Sequence, residues 1–389
     1  MDSVRRVGYP LGFWIGSHTR WSSFIGKDDF CLIADGGLQK GPILRVHSLP
    51  EQIRTEAELN EVMTRPTPAL IDFIPSLNGP LLILGAGGKM GPTLAVLAQR
   101  AVAAAGRGPE IVAVSRFSSA EVRAWLEDHG VRTIAADLME PGSLACLPDT
   151  DALIYMVGSK FGTTDYPERT WAINALLPTR VVERYPRARM AALSTGNVYP
   201  MAPVTGPGSK ESDPLTPKGE YANSCVGRER LLGFCARRSG TPVVLIRLSY
   251  ALDLRYGVLV DIARKIDAGR SVDVTMGYAN GIWQGDANEM ILRSLALARC
   301  PAYPLNLTGP RFSVREVAMR FGQWMERPVT LVGQEAKTAY LSDTSRLHQT
   351  LGRPSTPLDV VMRWTACWIA GGGRLLDKPT HFETRNGHY

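Results

Sequence analysis

The chain has 389 residues, enough for two domains with sizeable cores, and its 44% apolar and 21% charged content is ordinary for a globular protein. The net charge of +7 comes from scattered basic residues with no block of five or six, which disfavours a nucleic-acid partner and suits an enzyme with an anionic cofactor. No apolar run approaches the ~18 residues of a membrane span, so no membrane partner is expected.

Cys31, Cys146, Cys225, Cys235, Cys300 and Cys367 form no C-x-x-C and do not cluster with histidine. Neither a metal site nor a disulfide framework is expected, and a reducing, cytoplasmic compartment is. Arg5 and Arg6 open the chain, but Pro10, Gly12, Gly16 and His18 break any signal-peptide core.

Residues 1–77 read as an extension. Trp14, Trp21, Phe24, Phe30 and Ile33 are apolar enough to pack on the main body or at a dimer contact, and residues 55–64 suggest a short helix with Thr55 as N-cap. From Leu81 strand and helix patterns alternate, as in a parallel α/β sheet. Strands are expected at 81–84, 111–115, 131–136, 152–157, 190–195 and 243–248. Helices are expected from Thr93 to about Ala105, at 120–129, at 168–185 and at 221–238, the last closed by Gly240.

The most informative stretch is Leu81-Leu82-Ile83-Leu84-Gly85-Ala86-Gly87-Gly88-Lys89-Met90-Gly91-Pro92. An aliphatic strand runs into glycines spaced G-x-x-G-x-x-G and then into a helix. Gly85 suits the tight turn, Gly87 and Gly88 leave backbone open to a pyrophosphate, and Gly91 permits close packing of helix on sheet. The helix start offers unpaired N–H groups, and Pro92 fits its first turn. A dinucleotide site is the expectation. At the end of the second strand, Ser115-Arg116-Phe117-Ser118 carries no acid for a ribose 2′-hydroxyl. Arg116 suits a 2′-phosphate, which favours NADP over NAD.

The order of motifs resembles the extended short-chain dehydrogenase/reductases, the NAD-dependent epimerase/dehydratase family, over roughly residues 78–370. The glycine motif, including Lys89 and Met90, looks like theirs, and Asp137-Leu138 resembles an acid–aliphatic pair that touches adenine. Val157-Gly158-Ser159-Lys160 resembles a small-residue loop against the cofactor, with Lys160 where sugar-nucleotide epimerases carry a dinucleotide-contacting lysine. Asn174 falls where a helix asparagine supports the active site. Leu193-Ser194-Thr195-Gly196-Asn197-Val198-Tyr199 resembles the stretch that supplies a catalytic serine or threonine, here Thr195. Glu211 to Pro217 resembles the approach to the catalytic tyrosine, here Tyr221. Arg247, the segment ending in Asp286, Leu305 to Gly309 and Leu351-Gly352-Arg353-Pro354 resemble later family motifs.

One departure is sharp. The family's Tyr-x-x-x-Lys pairs two residues on one helix face, where the lysine lowers the tyrosine pKa and binds the nicotinamide ribose. Here Tyr221 is followed at i+4 by Cys225, which cannot supply a cation. Lys160, Lys218 and Arg228 are candidate substitutes. A second departure, Tyr250 and Ala251 after Arg247 where an asparagine is usual, leaves the sugar-nucleotide open. Tyr250, Arg255, Tyr256, Arg264 and Lys265 are candidate contacts to a substrate.

The resemblance implies an α/β fold, a Rossmann-type doubly wound parallel sheet over residues 78–248, with a smaller mixed C-terminal substrate domain over 249–389 interleaved with it. It further implies an NAD(P)-dependent oxidoreductase or epimerase acting on a secondary alcohol or ketone of a sugar-like substrate in carbohydrate metabolism. Family analogy places a homodimer contact on helices 168–185 and 221–238. The competing expectation is a catalytically impaired NADP-binding regulatory or scaffold protein.

Overall fold

The computed structural model describes residues 49–162, 165–378 and 380–387; the expectations for Trp14 to Ile33 lie outside the described residues. Seven parallel strands form the main sheet: β1 (Leu81–Leu84), β2 (Ile111–Ser115), β3 (Arg132–Ala135), β4 (Ala152–Tyr155), β5 (Arg189–Thr195), β6 (Val243–Leu248) and β7 (Tyr303–Leu307). Their order is β7-β6-β5-β4-β1-β2-β3, so chain direction reverses its progress across the sheet between β1 and β4. Leu81 is in register with both Ile111 and Ala152. A Rossmann-type sheet is thus present, and its crevice opens at the carboxyl ends of β1 and β4.

Successive residues of each strand point to opposite faces. Leu81 and Ile83 enter one core with Ile111, Ala113, Ile154 and Ile246, whereas Leu82 and Leu84 enter another with Val112, Val114, Tyr155 and Leu245. Both faces of the central strands are covered, which is why β1, β2 and β4 read as continuous aliphatic runs rather than alternating ones. The first face carries α3 (Gly91–Ala105) and α9 (Gln284–Arg293). The second carries α6 (Leu177–Arg184) and α7 (Gly219–Ser239).

A third core gathers α8 (Val258–Asp267), α10 (Val314–Met325) and α12 (Leu358–Ala370) around Ile262, Phe321 and Trp364. Helix α1 (Glu56–Met63) joins it through Leu59, Val62 and Met63, so part of the stretch before the sheet is built into this core. Thr55 caps α1 in a reciprocal box. Its hydroxyl accepts from the Glu58 amide at 3.1 Å, and the Glu58 carboxylate accepts from the Thr55 amide at 3.2 Å. Leu70 of α2 (Pro68–Phe73), Leu126 of α4 (Ala120–Asp128) and Leu347 of α11 (Ser345–Thr350) enter the first sheet core, as do Ile74 and Leu77. The helix expected over 168–185 is α5 (Pro167–Trp171), a π turn (Ala172–Leu176) and α6 in succession.

A buried polar network locks α7 to the sheet. Arg247 of β6 and Glu229 of α7 pair at 2.7 Å with their side chains only 5% and 4% exposed. Ser194 donates to Glu229 at 2.6 Å, Arg247 donates to the Tyr199 hydroxyl, and that hydroxyl donates to Asn306 at 2.8 Å. Burying both charges is tolerable only because every donor and acceptor meets a partner. Glu229→Ala would leave the Arg247 cation stranded and is expected to lower unfolding free energy by about 3–5 kcal/mol. Arg247→Met combined with Glu229→Met should cost clearly less. Urea unfolding of the three proteins checks this, and equal losses would contradict it.

Candidate active site

The glycine loop is built as tightly as its sequence suggests. Gly85 has φ +90°, and a Cβ there would lie 2.9 Å from the Val157 amide nitrogen, so β1 can hand over to its loop beside β4 only without a side chain. A Cβ at Gly91 would lie 2.4 Å from the Ala86 carbonyl oxygen, and one at Gly87 would lie 2.6 Å from the Ser115 hydroxyl. Gly88 is less constrained, its nearest contact being 3.4 Å. Helix α3 starts at Gly91 with no side chain capping it and with Pro92 in its first turn, so its leading N–H groups face the loop.

Two cavities meet on this loop, sharing Gly85, Gly88, Met156, Val157 and Gly158. One, of about 390 Å³, contains Ser115, Arg116, Phe117, Ser118, Asp137 and Leu138 in its wall. Arg116 is largely exposed there and reaches to 3.9 Å from Asp137. The other, of about 410 Å³, contains Lys89, Met90, Lys160, Phe161, Thr195, Tyr221, Arg228, Tyr250 and Tyr256. The residues expected to hold an adenosine end therefore lie on one side of the glycine loop, and those expected to do chemistry lie on the other. Open backbone where a Cβ would collide, a helix N-terminus and a groove running both ways fit an extended dinucleotide diphosphate.

Thr195 ends β5, and Tyr221 stands in the first turn of α7. Both side chains line the second cavity, and Thr195 and Cys225 neighbour the Tyr221 phenol. Burial, then the neighbouring Cys225, holds the Tyr221 phenol well above its ordinary value. Burial likewise raises the Cys225 thiol. Position 225 thus holds a neutral group packed with Tyr199 and Val226.

Arg228, three residues on and 4% exposed, places its positive charge where it favours the ionised forms of both Tyr221 and Cys225. Its guanidinium donates to the backbone oxygens of Asn174 (2.8 Å), Leu193 (2.5 Å) and Val157 (3.1 Å), and to Asn174 Oδ1 (2.9 Å). Asn174, on the π turn, also accepts from the Ser159 amide and donates to the Ser159 carbonyl and the Ser224 hydroxyl. The π turn presents both its backbone oxygen and its side chain to the cleft, clamping the loop that carries Lys160. Lys160 lies 5.9 Å from the Tyr221 ring centre, and burial, followed by repulsion from Lys89, lowers its pKa to about 8. Lys218 is exposed at the helix start.

Not every candidate reaches the cleft. Arg255 is absent from both cavity walls because its guanidinium pairs with Asp253 at 2.7 Å and approaches Glu56 at 3.6 Å. Arg264 pairs with Asp377, and Lys265 with Glu383. Tyr250, by contrast, lines the larger cavity with φ +38°. Tyr340 and Thr380 reach the same wall from far along the chain, and no local pattern marks them. Among the described residues no group of three or more His, Cys, Asp or Glu could hold a metal ion, and no helix is long and apolar enough to cross a membrane.

Residues 81–272 match the model of the NAD dependent epimerase/dehydratase family. No curated protein matches the chain by sequence. Among solved structures, a UDP-galactose 4-epimerase is similar over 75% of this chain and 99% of its own, at 18% identity and a TM-score of 0.60. A dTDP-glucose 4,6-dehydratase from Streptomyces venezuelae, with NAD bound, is similar over 74% and 96%, at 19% identity and a TM-score of 0.62. A UDP-glucuronic acid 4-epimerase from Bacillus cereus is similar over 75% and 98%, at 14% identity and a TM-score of 0.62. At such identities the likeness is one of fold. The glycine loop, the switch-point cleft and the matched stretch agree: residues 81–272 form a domain of the NAD dependent epimerase/dehydratase family.

Proposed function

We propose that this chain is an NAD(P)-dependent oxidoreductase or epimerase that acts on a secondary alcohol or ketone of a sugar-like substrate. The observation that carries the reading is that Thr195 and Tyr221 line one cavity that runs into the glycine loop. Gly85 to Gly91 would hold the diphosphate, Asp137 and Leu138 the adenine end, and Val157 to Lys160 with Asn174 the nicotinamide side. When bound, the dinucleotide supplies the group that accepts or donates hydride.

Thr195 and Tyr221 would grip the substrate oxygen. Because the Tyr221 phenol is held protonated at neutral pH, its natural part is to donate a proton to an oxygen gaining negative charge, as in ketone reduction. Arg228 supplies the fixed positive field that Cys225 cannot. It does so from beneath the cleft, without touching the substrate, because its donors are taken by carbonyl and amide oxygens. Ser115, Arg116 and Ser118 around the adenosine-side cavity support NADP over NAD, since nothing but Asp137 offers that end an acid.

Quenching of protein fluorescence by NADPH and NADH tests the reading, and binding of neither would remove it. Arg116→Ala is expected to weaken NADPH at least about five-fold more than NADH, consistent with loss of one charge-assisted contact; equal loss would refute the preference. Tyr221→Phe should abolish turnover across a panel of sugars, polyols and keto acids while leaving NADPH affinity within about two-fold. No turnover by the native protein, with binding intact, would instead favour a regulatory binder.

The Lys160 cation carries a pH signature. Its pKa falls from 10.5 to about 8 in the fold, so burial destabilises the native state most below about pH 8. As pH rises from about 8 to 10.5 the unfolded chain binds the extra proton, and stability should recover. The stability of the native protein relative to Lys160→Met should therefore rise over that window in urea unfolding at several pH values. Parallel curves would contradict it.

A further inference from the structure

The last described residues, 380–387, run from the wall of the larger cavity to the start of α7 and are fastened along the way. Thr380 lines the cavity. Its amide donates to the Asp261 carboxylate of α8 at 2.8 Å, and its hydroxyl donates to the same oxygen. The charge of Asp261 also favours the Lys89 and Lys160 cations. The His381 ring stands edge-on to Phe161, another cavity residue, with ring centres 6.2 Å apart. Phe382 is 1% exposed and enters the third core with Ile262. Glu383 pairs with Lys265 of α8. Arg385 donates to the Thr338 carbonyl at 2.7 Å and to its hydroxyl at 2.8 Å.

The far end is a contact of backbone on backbone. A Cβ at Gly219 would lie 2.1 Å from the Gly387 carbonyl oxygen, and one at Gly387 would lie 2.4 Å from the Lys218 carbonyl oxygen. Both glycines have positive φ, +77° and +85°. Two turns that exclude a side chain thus sit against each other, two residues before Tyr221. No side chain caps α7 at Lys218. Its first turn is held instead by this contact and by Glu220, which accepts from the Trp171 indole of α5 at 2.8 Å.

The larger cavity is walled by Tyr256 and Gly257, just before α8, and by Tyr221 and Arg228 of α7. Residues 380–387 tie those two walls together. Ordering such a segment costs backbone entropy, which the burial of Phe382 and the polar anchors offset. We propose that residues 380–387 form a strap, a positioning segment that fixes the start of α7, and so Tyr221, and closes the cavity beside it. The strap lies outside the stretch 81–272 that matches the family model. Its hold on α7 is independent of the cofactor; its shielding of the nicotinamide end rests on the dinucleotide reading of the same cleft.

Three variants loosen the strap: Gly387→Val, Lys265→Glu and Glu383→Lys. Each should speed amide exchange at residues 219–224 about five-fold or more while leaving β1 and β4 unchanged. Each should also raise acrylamide quenching of bound NADPH emission about two-fold or more, with NADPH affinity changed less than about three-fold. Lys265→Glu combined with Glu383→Lys restores the ion pair with its signs exchanged and should return both readings to native values. That rescue separates a strap from general destabilisation. Unchanged exchange at 219–224 in all three variants, or faster exchange that the double variant does not rescue, would overturn the strap. Unchanged quenching of bound NADPH would overturn the closure of the cavity. If the native protein binds no NADPH, the cofactor reading fails, and the exchange measurement alone decides the strap.

Discussion

The guanidinium of Arg228 lies buried where β4 and β5 run out, and its hydrogen bonds go to oxygens of Val157, Leu193 and Asn174. Among the described residues no carboxylate pairs with it. A buried charge held only by dipoles is expensive, and it survives only if the dipoles are fixed around it. That requirement shapes the floor of the cleft. The π turn brings the Asn174 backbone and side-chain oxygens to the same cation, and the Asn174 amide nitrogen then reaches Ser159 and Ser224. The loop carrying Lys160, the end of β4 and the first turns of α7 are fastened together through one side chain.

The cysteine at position 225 of α7 is intelligible in these terms. A lysine at position 225 would project a cation into the cleft beside Tyr221. Here that position is a neutral, buried thiol, and the positive charge sits one helical turn further on, below the surface. A charge placed there can polarise Tyr221 but cannot form hydrogen bonds to a ribose. Among the described residues the lysines that line the cavity are Lys89 and Lys160, on the two loops that follow β1 and β4.

Much of this was legible along the chain because it is local. At Gly91 the glycine loop is specified by its own residues, since a Cβ there would meet Ala86, whereas the atoms that exclude one at Gly85 belong to Met156 and Val157 beyond β4. The central strands were legible because both faces of the sheet are covered there, which leaves unbroken aliphatic runs in β1, β2 and β4. The Thr55 cap follows from a four-residue pattern. Arg255 was a fair candidate by position, but the acids that claim it, Asp253 and Glu56, include one from nearly two hundred residues upstream, and no local pattern announces that pairing. The π turn at Asn174 was hidden for a related reason: a helical period says where apolar faces lie, not where one extra residue is accommodated to suit a distant arginine. Tyr340 and Thr380 enter the cleft only through the packing of the C-terminal core.

The central claim is that the loop after β1 holds a dinucleotide diphosphate on its bare amides. Amide hydrogen exchange, read peptide by peptide with and without saturating NADPH or NADH, addresses it most directly. Binding should slow exchange across residues 85–91 and, through the Asn174 clamp, across 157–160, with little change on the distant faces of α10 and α12. Unchanged exchange in the glycine loop at saturating nucleotide, or protection confined to some other surface, would contradict the account.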